Sequence, residues 1–302
     1  RSRGLGDVYK RQAPLFMEDL KLLSRPVNYL TYSVAARDGR EHEVEVYFEA
    51  SPRWALDQPY QQSASKGYEA DGLLYLKSGS KEQNILAKQG DDLRIDWGYF
   101  YMVAGKENTA YSVGNSTELR KNFVNGTLNS ASLEGEDSNG NMALVRSHGK
   151  VKNVTDKIML GYDDIYSIQY FGTNLRPYWN SKGDRTIEAE MLAAYNEYDK
   201  LLARCYAFDK KLMEDASAAG GKEYAELCAL AYRQSIAAHK LVEAPNGDLL
   251  WLSKENNSNG CINTVDLTYP SAPLYLIYNP ELEKGMICLL YTSPSPRDLS
   301  TS

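Results

Sequence analysis

Apolar and polar residues alternate along the first half of the chain in a way that predicts short β-strands. In the stretch 43–49, Val44, Val46 and Phe48 fall on one face and the glutamates on the other, with a period of two. An Asp-Gly pair at 38–39 predicts a tight hairpin turn into this strand. Other strand candidates are 29–35, 72–76, 93–103 and 109–113. Many short strands separated by Gly-, Asn- and Ser-rich turns predict a β-sandwich.

The second half of the chain changes to a helical period. Apolar residues recur there at steps of four and three, which places them on one stripe of a helix predicted over 186–219. That stripe contains Ile187, Met191, Ala194, Tyr198, Leu201, Cys205, Phe208 and Leu212. Gly220-Gly221 ends this helix, and a second helix is predicted over 222–242. Two amphipathic helices joined by two glycines predict a helical hairpin.

These patterns predict an α+β, two-domain organisation: an antiparallel β-sandwich over 13–155, then a helical domain beginning at 156 and extending to 287. The 302 residues carry 34 Lys and Arg against 40 Asp and Glu, a formal net charge of −6. This acidic balance argues against a nucleic-acid partner, which requires clustered basic residues. No window approaches 18 apolar residues, so the sequence predicts no transmembrane helix.

The two ends of the chain have a property that changes their interpretation. Residues 7–12 and 288–293 can be encoded by strings that are reverse complements of each other, shifted by one frame, and the match extends outward on both sides. The pair looks like a sequencing-library adapter translated on both strands. We therefore expect 1–12 and 288–302 to be adapter-derived and the natural residues to run from about Ala13 to Ile287. The chain is then expected to be an internal fragment.

The segment 253–273 is the first candidate for chemistry. It combines two acids, Glu255 and Asp266, with four asparagines, several hydroxyl groups and two prolines. Carboxylates can act as general acid and base, and Asn or Tyr side chains can stabilise developing negative charge. The structural alternative is an Asn-rich turn followed by a strand, with Asp266 accepting a local backbone hydrogen bond.

The second candidate is the pair of segments 162–171 and 176–180. Asp163 and Asp164 supply carboxylates, Arg176 can hold a carboxylate with two hydrogen bonds, and Tyr178 with Trp179 can form a stacking wall. The structural alternative is a domain junction packed by aromatic residues, with Arg176 paired to one of the two aspartates. Metal and thiol chemistry find little support, because the three histidines are scattered and the chain has no Cys-x-x-Cys motif.

Several of these segments resemble the glutaminase A family. The most specific is 253–273; another is Arg94-Ile95-Asp96-Trp97-Gly98-Tyr99. The remaining matches are 162–171, 175–180, 231–234, 237–241, 278–280 and 284–286. The resemblance implies a β-sandwich followed by a six-hairpin (α/α)6 toroid. It also implies hydrolysis of L-glutamine to L-glutamate and ammonia outside the cytoplasm, with a small-molecule substrate and neither a metal nor an organic cofactor.

The assignment of site residues is a hypothesis based on side-chain chemistry and not on the resemblance. Glu255 and Asp266 would divide the acid/base work, and Arg176 would bind the α-carboxylate of the substrate. Oxyanion binding would fall to Asn257, Asn259, Tyr269 or Ser271. The other substrate-binding candidates are Asp163, Asp164, Tyr178 and Trp179.

Two further functions stay open at this point. A six-hairpin glycoside hydrolase could use the same two carboxylates, with Trp179, Tyr178 and Tyr269 as sugar platforms. Alternatively, the sandwich could be a noncatalytic module that binds carbohydrate or a protein partner. The sequence contains only one complete helical hairpin of a toroid that needs six. We therefore expect this chain alone to be inactive and to expose apolar surface.

Overall fold

The computed structural model describes residues 5–88, 90, 92–128, 140–254 and 262–292. The strands are β1 (Leu5–Gln12), β2 (Val27–Ala36), β3 (His42–Ala50), β4 (Ser63–Ala70), β5 (Leu73–Ser80), β6 (Tyr99–Gly105), β7 (Thr109–Gly114), β8 (Asn141–Val151), β9 (Asn153–Asp163), β10 (Ile168–Tyr170), β11 (Thr173–Leu175), β12 (His239–Glu243) and β13 (Leu249–Ser253). The α-helices are α1 (Leu20–Ser24), α2 (Ser116–Val124), α3 (Ile187–Ala237), α4 (Val265–Tyr278) and α5 (Pro280–Thr292).

Two antiparallel sheets form the sandwich that the sequence predicts. The large sheet has the strand order β1-β2-β9-β6-β5-β4, and the small sheet has the order β3-β8-β7. Their facing side chains form one buried cluster that includes Tyr32, Leu76, Met102, Leu144 and Ile158. The fold class, a β-sandwich followed by a helical region, is therefore confirmed.

The large sheet is buried on both faces. In β6, Phe100, Met102 and Ala104 pack towards the small sheet, whereas Tyr101 and Val103 pack towards α3. A strand covered on both sides has no solvent face, so its apolar residues form a continuous run instead of alternating with polar ones. This explains why the sequence between 100 and 104 lacks the period seen in β3.

Helix α3 is a hairpin of two arms, as predicted. Its N-cap is Thr186, whose Oγ1 accepts a hydrogen bond from the backbone N–H of Ala189 at 3.2 Å. Gly221 breaks the helix with a φ of +84°, a conformation that costs glycine little. The rings of Phe208 and Tyr232 then lie 5.1 Å apart. In a straight helix these two residues would be about 36 Å apart, so the chain folds back on itself.

The first arm of α3 covers the large sheet. Its predicted apolar stripe is buried from Ile187 to Leu201 against side chains such as Tyr29, Tyr75 and Met159. Arg25 reinforces the contact, because its guanidinium pairs with the carboxylate of Glu190, with Nε and Oε2 2.9 Å apart. The sandwich and the first arm therefore share one continuous interface.

Cys205 and Cys228, on the two arms, are both free thiols.

The prediction of a helix over 222–242 placed its end too late in the chain. The second arm of α3 ends at Ala237, and His239–Glu243 forms β12, which pairs with β13. The turn between the two strands contains Asn246 and Gly247, and Gly247 has a φ of +89°. An Asn-Gly pair strongly favours a hairpin, and pairing with β13 overrides the helical preference of the preceding alanines.

Two expectations within the sandwich were also wrong. The Asp38-Gly39 turn connects β2 in the large sheet to β3 in the small sheet and does not close a hairpin. Strand β6 begins at Tyr99 and not at Leu93. The reason lies in Asp96, whose buried carboxylate accepts hydrogen bonds from Gln61 Nε2 at 3.0 Å and Lys88 Nζ at 2.7 Å. These side-chain bonds hold the segment before β6 as a loop.

The segment after β13 continues into helices. Residues 255–261 lie outside the described residues, and α4 and α5 follow them. The alternative of an Asn-rich turn followed by a strand was therefore wrong for residues from Val265 onward. These helices pack against Trp251 and the second arm of α3 through the buried side chains of Tyr275, Leu282 and Met286. At the other end of the chain, the segment interpreted as adapter-derived includes β1, which pairs antiparallel with β2.

Candidate functional site

The candidate site residues fall into three places in the structure. Asp163 and Asp164 lie at the end of β9, and Arg176, Tyr178 and Trp179 follow β11. Asp266, Tyr269 and Ser271 lie on α4. Glu255, Asn257 and Asn259 lie outside the described residues. Strands β12 and β13 lie next to the end of β9, the segment after β11 and helix α4, because β12 contacts Asp164 and Pro177 and α4 packs over the hairpin.

Asp164 connects the end of the sandwich to β12. Its carboxylate Oδ2 accepts a hydrogen bond from Ser167 Oγ at 2.7 Å and forms an ion pair with Lys240 Nζ at 2.7 Å. The backbone oxygen of Asp164 accepts a hydrogen bond from Trp97 Nε1 at 2.9 Å. Its second carboxylate oxygen, Oδ1, is buried and has no partner within the described residues. The aspartate is therefore only half satisfied by the protein.

A second lysine lies near this ion pair. Burial lowers the pKa of Lys254, and the positive charge of Lys240 lowers it further, while Asp164 acts in the opposite direction. On the other side, burial raises the pKa of Asp163, so this carboxyl group binds its proton more tightly than usual. Burial therefore opposes the charged forms of both Lys254 and Asp163, while Lys240 and Asp164 remain paired with each other.

Arg176 has no carboxylate partner in the described part of the chain. Its guanidinium lies 4.7 Å from the centre of the Tyr166 ring, and its Nη2 is 3.4 Å from Tyr166 Oη. The structural alternative paired Arg176 with Asp163 or Asp164, but Asp164 pairs with Lys240 instead. Apart from Nη2, which bonds to Tyr166, the stacked guanidinium therefore keeps its hydrogen-bond donors available for a ligand.

The two aromatic residues after Arg176 are part of the protein interior. Trp179 is only 3 % exposed, and Tyr178 packs against the cluster around Tyr232 and Trp251. The Nε1 donor of Trp179 is buried without a partner among the described residues. The structure thus places Tyr178 and Trp179 beneath the site rather than on its surface.

Helix α4 carries candidates on two different stripes. Asp266, in the first turn, and Tyr269, which is 87 % exposed, both face solvent. Ser271 faces inward, and its hydroxyl donates a hydrogen bond to the backbone oxygen of Leu267. Asp266 and Tyr269 are therefore accessible to a ligand, whereas the Ser271 hydroxyl is already engaged.

Buried polar atoms that the sequence pattern does not indicate lie on β12, β13 and the start of α4. His239 Nε2, Ser253 Oγ, Asn263 Oδ1 and Thr264 Oγ1 are all buried and lack a partner within the described residues. Most buried polar atoms in folded proteins are hydrogen-bonded, so four such atoms in one place point to a binding function. The Asn246-Gly247 turn was the signal that could have identified β12 and placed His239 at its start.

Neither a metal-binding cluster nor a membrane-spanning helix occurs among the described residues. No group of three or more His, Cys, Asp or Glu side chains among them is placed to hold a metal ion. Of the helices in that part of the chain, none combines the length and the apolar character that crossing a membrane requires.

An antiparallel sandwich capped by a helical hairpin, with polar groups collected at the end of that hairpin, defines a class of two-part proteins. Two family models match the chain: a domain of unknown function, DUF5127, over residues 12–215, and the glutaminase A six helical-hairpin domain over residues 221–295. The chain belongs to the glutaminase A family.

Two curated relatives are similar to the chain. Glutaminase A of Aspergillus oryzae (strain ATCC 42149 / RIB 40) is 28% identical, over 92% of this chain and 42% of its own length. A protein named "Probable glutaminase" from Arthroderma benhamiae (strain ATCC MYA-4681 / CBS 112371) is 24% identical, over 85% of this chain and 32% of its own length. The chain therefore spans less than half the length of these relatives.

Among solved structures, one named "Putative kojibiose phosphorylase from human microbiome" matches with a TM-score of 0.36 and 8% identity. The match covers 78% of this chain and 25% of that one.

Proposed function

We propose that this chain supplies part of the active site of a glutaminase-like amidohydrolase, which converts L-glutamine and water to L-glutamate and ammonia. Family membership and the names of the two curated relatives support this reaction. The structural observation that carries the proposal is the group of unpartnered buried polar atoms on β12, β13 and the start of α4. A small polar substrate suits such a group. Lys240 and Lys254 extend from the opposite face of the same two strands.

Amide hydrolysis requires a base to activate water and an acid to protonate the departing ammonia. Asp266 and Glu255 take these two roles in the proposal. Asp266 is exposed in the first turn of α4. Glu255 precedes it by eleven residues and lies outside the described residues. Accessibility of Asp266 to water and substrate supports its assignment, because a catalytic carboxylate has to reach the reacting atoms.

The remaining roles concern binding. Arg176 would hold the substrate α-carboxylate, supported by its lack of a carboxylate partner among the described residues and by its stacking on Tyr166. Lys240 is already paired with Asp164 and has no binding role in the proposal. Tyr269 offers an exposed hydroxyl for the oxyanion, together with Asn257 and Asn259. Ser271 would have to release its hydrogen bond to Leu267 before it could contribute. A location outside the cytoplasm stays a prediction from the family resemblance.

The test is ammonia release from L-glutamine by the whole protein, with the 302-residue chain measured beside it. We expect Asp266→Asn and Glu255→Gln each to lower kcat by about a hundredfold or more, because each removes one proton-transfer group. Glu281→Gln is the matched control: Glu281 is an exposed carboxylate on α5 that pairs with Lys284, and its loss should leave kcat within about twofold.

Two outcomes would contradict the proposal. Near-normal turnover of glutamine in both the Asp266 and the Glu255 variant would remove the assigned acid and base. Release of sugar from a glycoside panel, with no ammonia from glutamine, would instead identify a glycoside hydrolase that uses the same carboxylates.

A further inference from the structure

A cavity of about 310 Å³ lies between the end of α3, the β12–β13 hairpin and α4. Its lining is apolar on the α4 side, where Leu267, Pro270 and Leu274 face it, and more polar on the opposite side, where His239 and Ser253 do. The volume is at the lower end of the range for small-molecule sites, and one apolar wall facing a few polar groups is typical of such sites.

The imidazole of His239 is held in one orientation. Its Nδ1 lies 2.6 Å from the backbone oxygen of Ser235 and 3.2 Å from Tyr275 Oη. A carbonyl oxygen can only accept, so Nδ1 carries the hydrogen. The ring stacks on Trp251, with the ring centres 5.2 Å apart and the planes 13° from parallel. Two aromatic neighbours and one firm hydrogen bond therefore fix the side chain.

The other nitrogen of His239 is then a hydrogen-bond acceptor. Burial lowers the pKa of His239, which favours the neutral ring at neutral pH. A neutral ring with its hydrogen on Nδ1 has a lone pair on Nε2. This Nε2 atom is buried and has no partner within the described residues. His239 Nε2 is therefore a buried hydrogen-bond acceptor without a donor among the described residues.

Ser253 lies directly opposite His239 in the antiparallel ladder. Residues in that relation place their side chains on the same face, with Cβ atoms about 5 Å apart. The serine is 1 % exposed, and its hydroxyl has no partner in the described part of the chain. Its backbone oxygen is already used, since it accepts a hydrogen bond from the backbone N–H of Asn263 at 2.8 Å. An acceptor and a hydroxyl group therefore stand side by side in the wall of the cavity, with almost no accessible surface.

We propose that His239 and Ser253 bind the side-chain carboxamide of the substrate, with Nε2 of His239 accepting from the amide N–H and the Ser253 hydroxyl donating to the amide oxygen. The methylene groups of the substrate then lie against Leu267, Pro270 and Leu274. This subsite rests on the proposed glutaminase function and names the substrate group that the cavity takes in the initial complex. Asp266 and Tyr269 face solvent on another stripe of α4, so hydrolysis requires the carboxamide to turn out of the cavity.

The arrangement also discriminates between substrate and product. A carboxamide offers one donor and one acceptor, which match Nε2 and the hydroxyl. A carboxylate offers only acceptors, so one of its oxygens would face the lone pair of His239 Nε2. An unpaired polar group in a buried site is strongly disfavoured. L-glutamate should therefore bind this subsite more weakly than L-glutamine, and the product should leave readily.

The experiment is isothermal titration calorimetry of the 302-residue chain with L-glutamine, L-glutamate and L-norleucine, which has a similar side-chain length but no carboxamide. We expect L-glutamine to bind at least about tenfold more tightly than the other two, which corresponds to the loss of one or two buried hydrogen bonds. Equal affinity for L-norleucine, or no detectable binding of L-glutamine, would overturn the proposal.

Variants of the two residues complete the test. Ser253→Ala and His239→Phe each remove one hydrogen-bonding group and should weaken L-glutamine binding by about tenfold. His239→Gln restores an acceptor and should recover most of the affinity, which a merely structural histidine would not do. His42→Phe, at a half-buried position on β3 in the small sheet, is the control and should bind as the unmodified chain does. L-glutamine binding unchanged by Ser253→Ala and by His239→Phe would overturn the proposal.

Ammonia release by the whole protein separates this proposal from the proposed function. Binding that depends on His239 and Ser253 without any ammonia release would keep the subsite and refute the hydrolysis. Ammonia release that is unaffected by both substitutions would keep the hydrolysis and refute the subsite.

Discussion

The sandwich and the region that follows it differ in how far their buried polar groups are hydrogen-bonded. In the sandwich, the Ser65 hydroxyl is bonded to Ser78 Oγ at 2.8 Å and to the backbone oxygen of Gly140 at 3.0 Å, and Asp96 is bonded to Gln61 and Lys88. Within the described residues, buried side-chain polar atoms without a partner occur only between residues 164 and 283.

This difference separates a scaffold from the region that we propose to bind a ligand. Each buried polar group left without a partner costs about 1–3 kcal/mol, so a part of the fold that only has to be stable satisfies its polar groups. The helical region also exposes more large apolar side chains, among them Tyr224, Leu227 and Leu230 on α3 and Leu276 and Ile277 on α4. We infer that stability is concentrated in the sandwich and its covering helix arm, and ligand contact in β12, β13 and α4.

The largest effect should come from the buried ion pair between Asp164 and Lys240. Lys240→Met leaves the Asp164 carboxylate buried without its cation, and we expect a loss of about 2 kcal/mol or more in the free energy of unfolding. Lys211→Met is the control, because the Lys211–Asp215 pair on the surface of α3 is largely exposed and should contribute under about 0.5 kcal/mol. Urea denaturation measures both. Equal losses would mean that Asp164 is solvated in the folded protein.

A pair of serine substitutions tests the comparison directly. Ser65→Ala removes a partnered hydroxyl from the sandwich and should cost about 1 kcal/mol of unfolding free energy. Ser253→Ala removes an unpartnered hydroxyl and should be neutral or slightly stabilising, because no hydrogen bond is lost and a buried polar atom disappears. Thermal denaturation without ligand measures both. A similar cost at the two positions would refute the contrast between the two regions.

The smallest effect concerns pH. Burial lowers the pKa of His239 in the folded protein below its unfolded value of about 6.5. As pH falls through that value, the unfolded chain takes up the proton first, so stability decreases until the folded pKa is also passed. The aromatic neighbours Trp251 and Tyr275 stay uncharged in this range, since the pKa of Tyr275 is raised.

His239→Gln should remove this contribution. We expect the loss of stability between pH 8 and pH 5 to be smaller in the variant, by no more than about 1.4 kcal/mol for each unit of pKa shift. His148, whose pKa burial also lowers, is present in both proteins and cancels in the difference. Identical pH dependence in the two proteins would show that His239 is solvated.

Local patterns in the sequence predicted much of the fold. The stripe from Ile187 to Leu201 and the glycine at 221 were sufficient for the helical hairpin, because spacing along one helix decides which side chains share a face. The end of α3 was mispredicted, since the ladder between β12 and β13 decides it. Loop 93–98 was likewise mistaken for strand, because Asp96 is held by residues far from it in the chain.

The candidate site was less predictable than the fold. The composition of 253–273 directed attention to α4, but the Asp164–Lys240 ion pair joins residues 76 positions apart. Likewise, the unpartnered state of His239 Nε2 depends on tautomer, stacking and burial, none of which can be read from residue types. Sequence can show which functional groups are present, but three-dimensional packing decides which of them remain unsatisfied.

The first arm of α3 has a consequence for how such proteins can diversify. Its buried stripe contacts the large sheet, and its far end contacts the second arm through Phe208 and Tyr232. A recombination event that transferred the sandwich alone would leave Tyr29, Tyr75 and Met159 without their cover. The unit that can be inherited intact is therefore the sandwich together with this arm, and the family model that ends at residue 215 coincides with that unit.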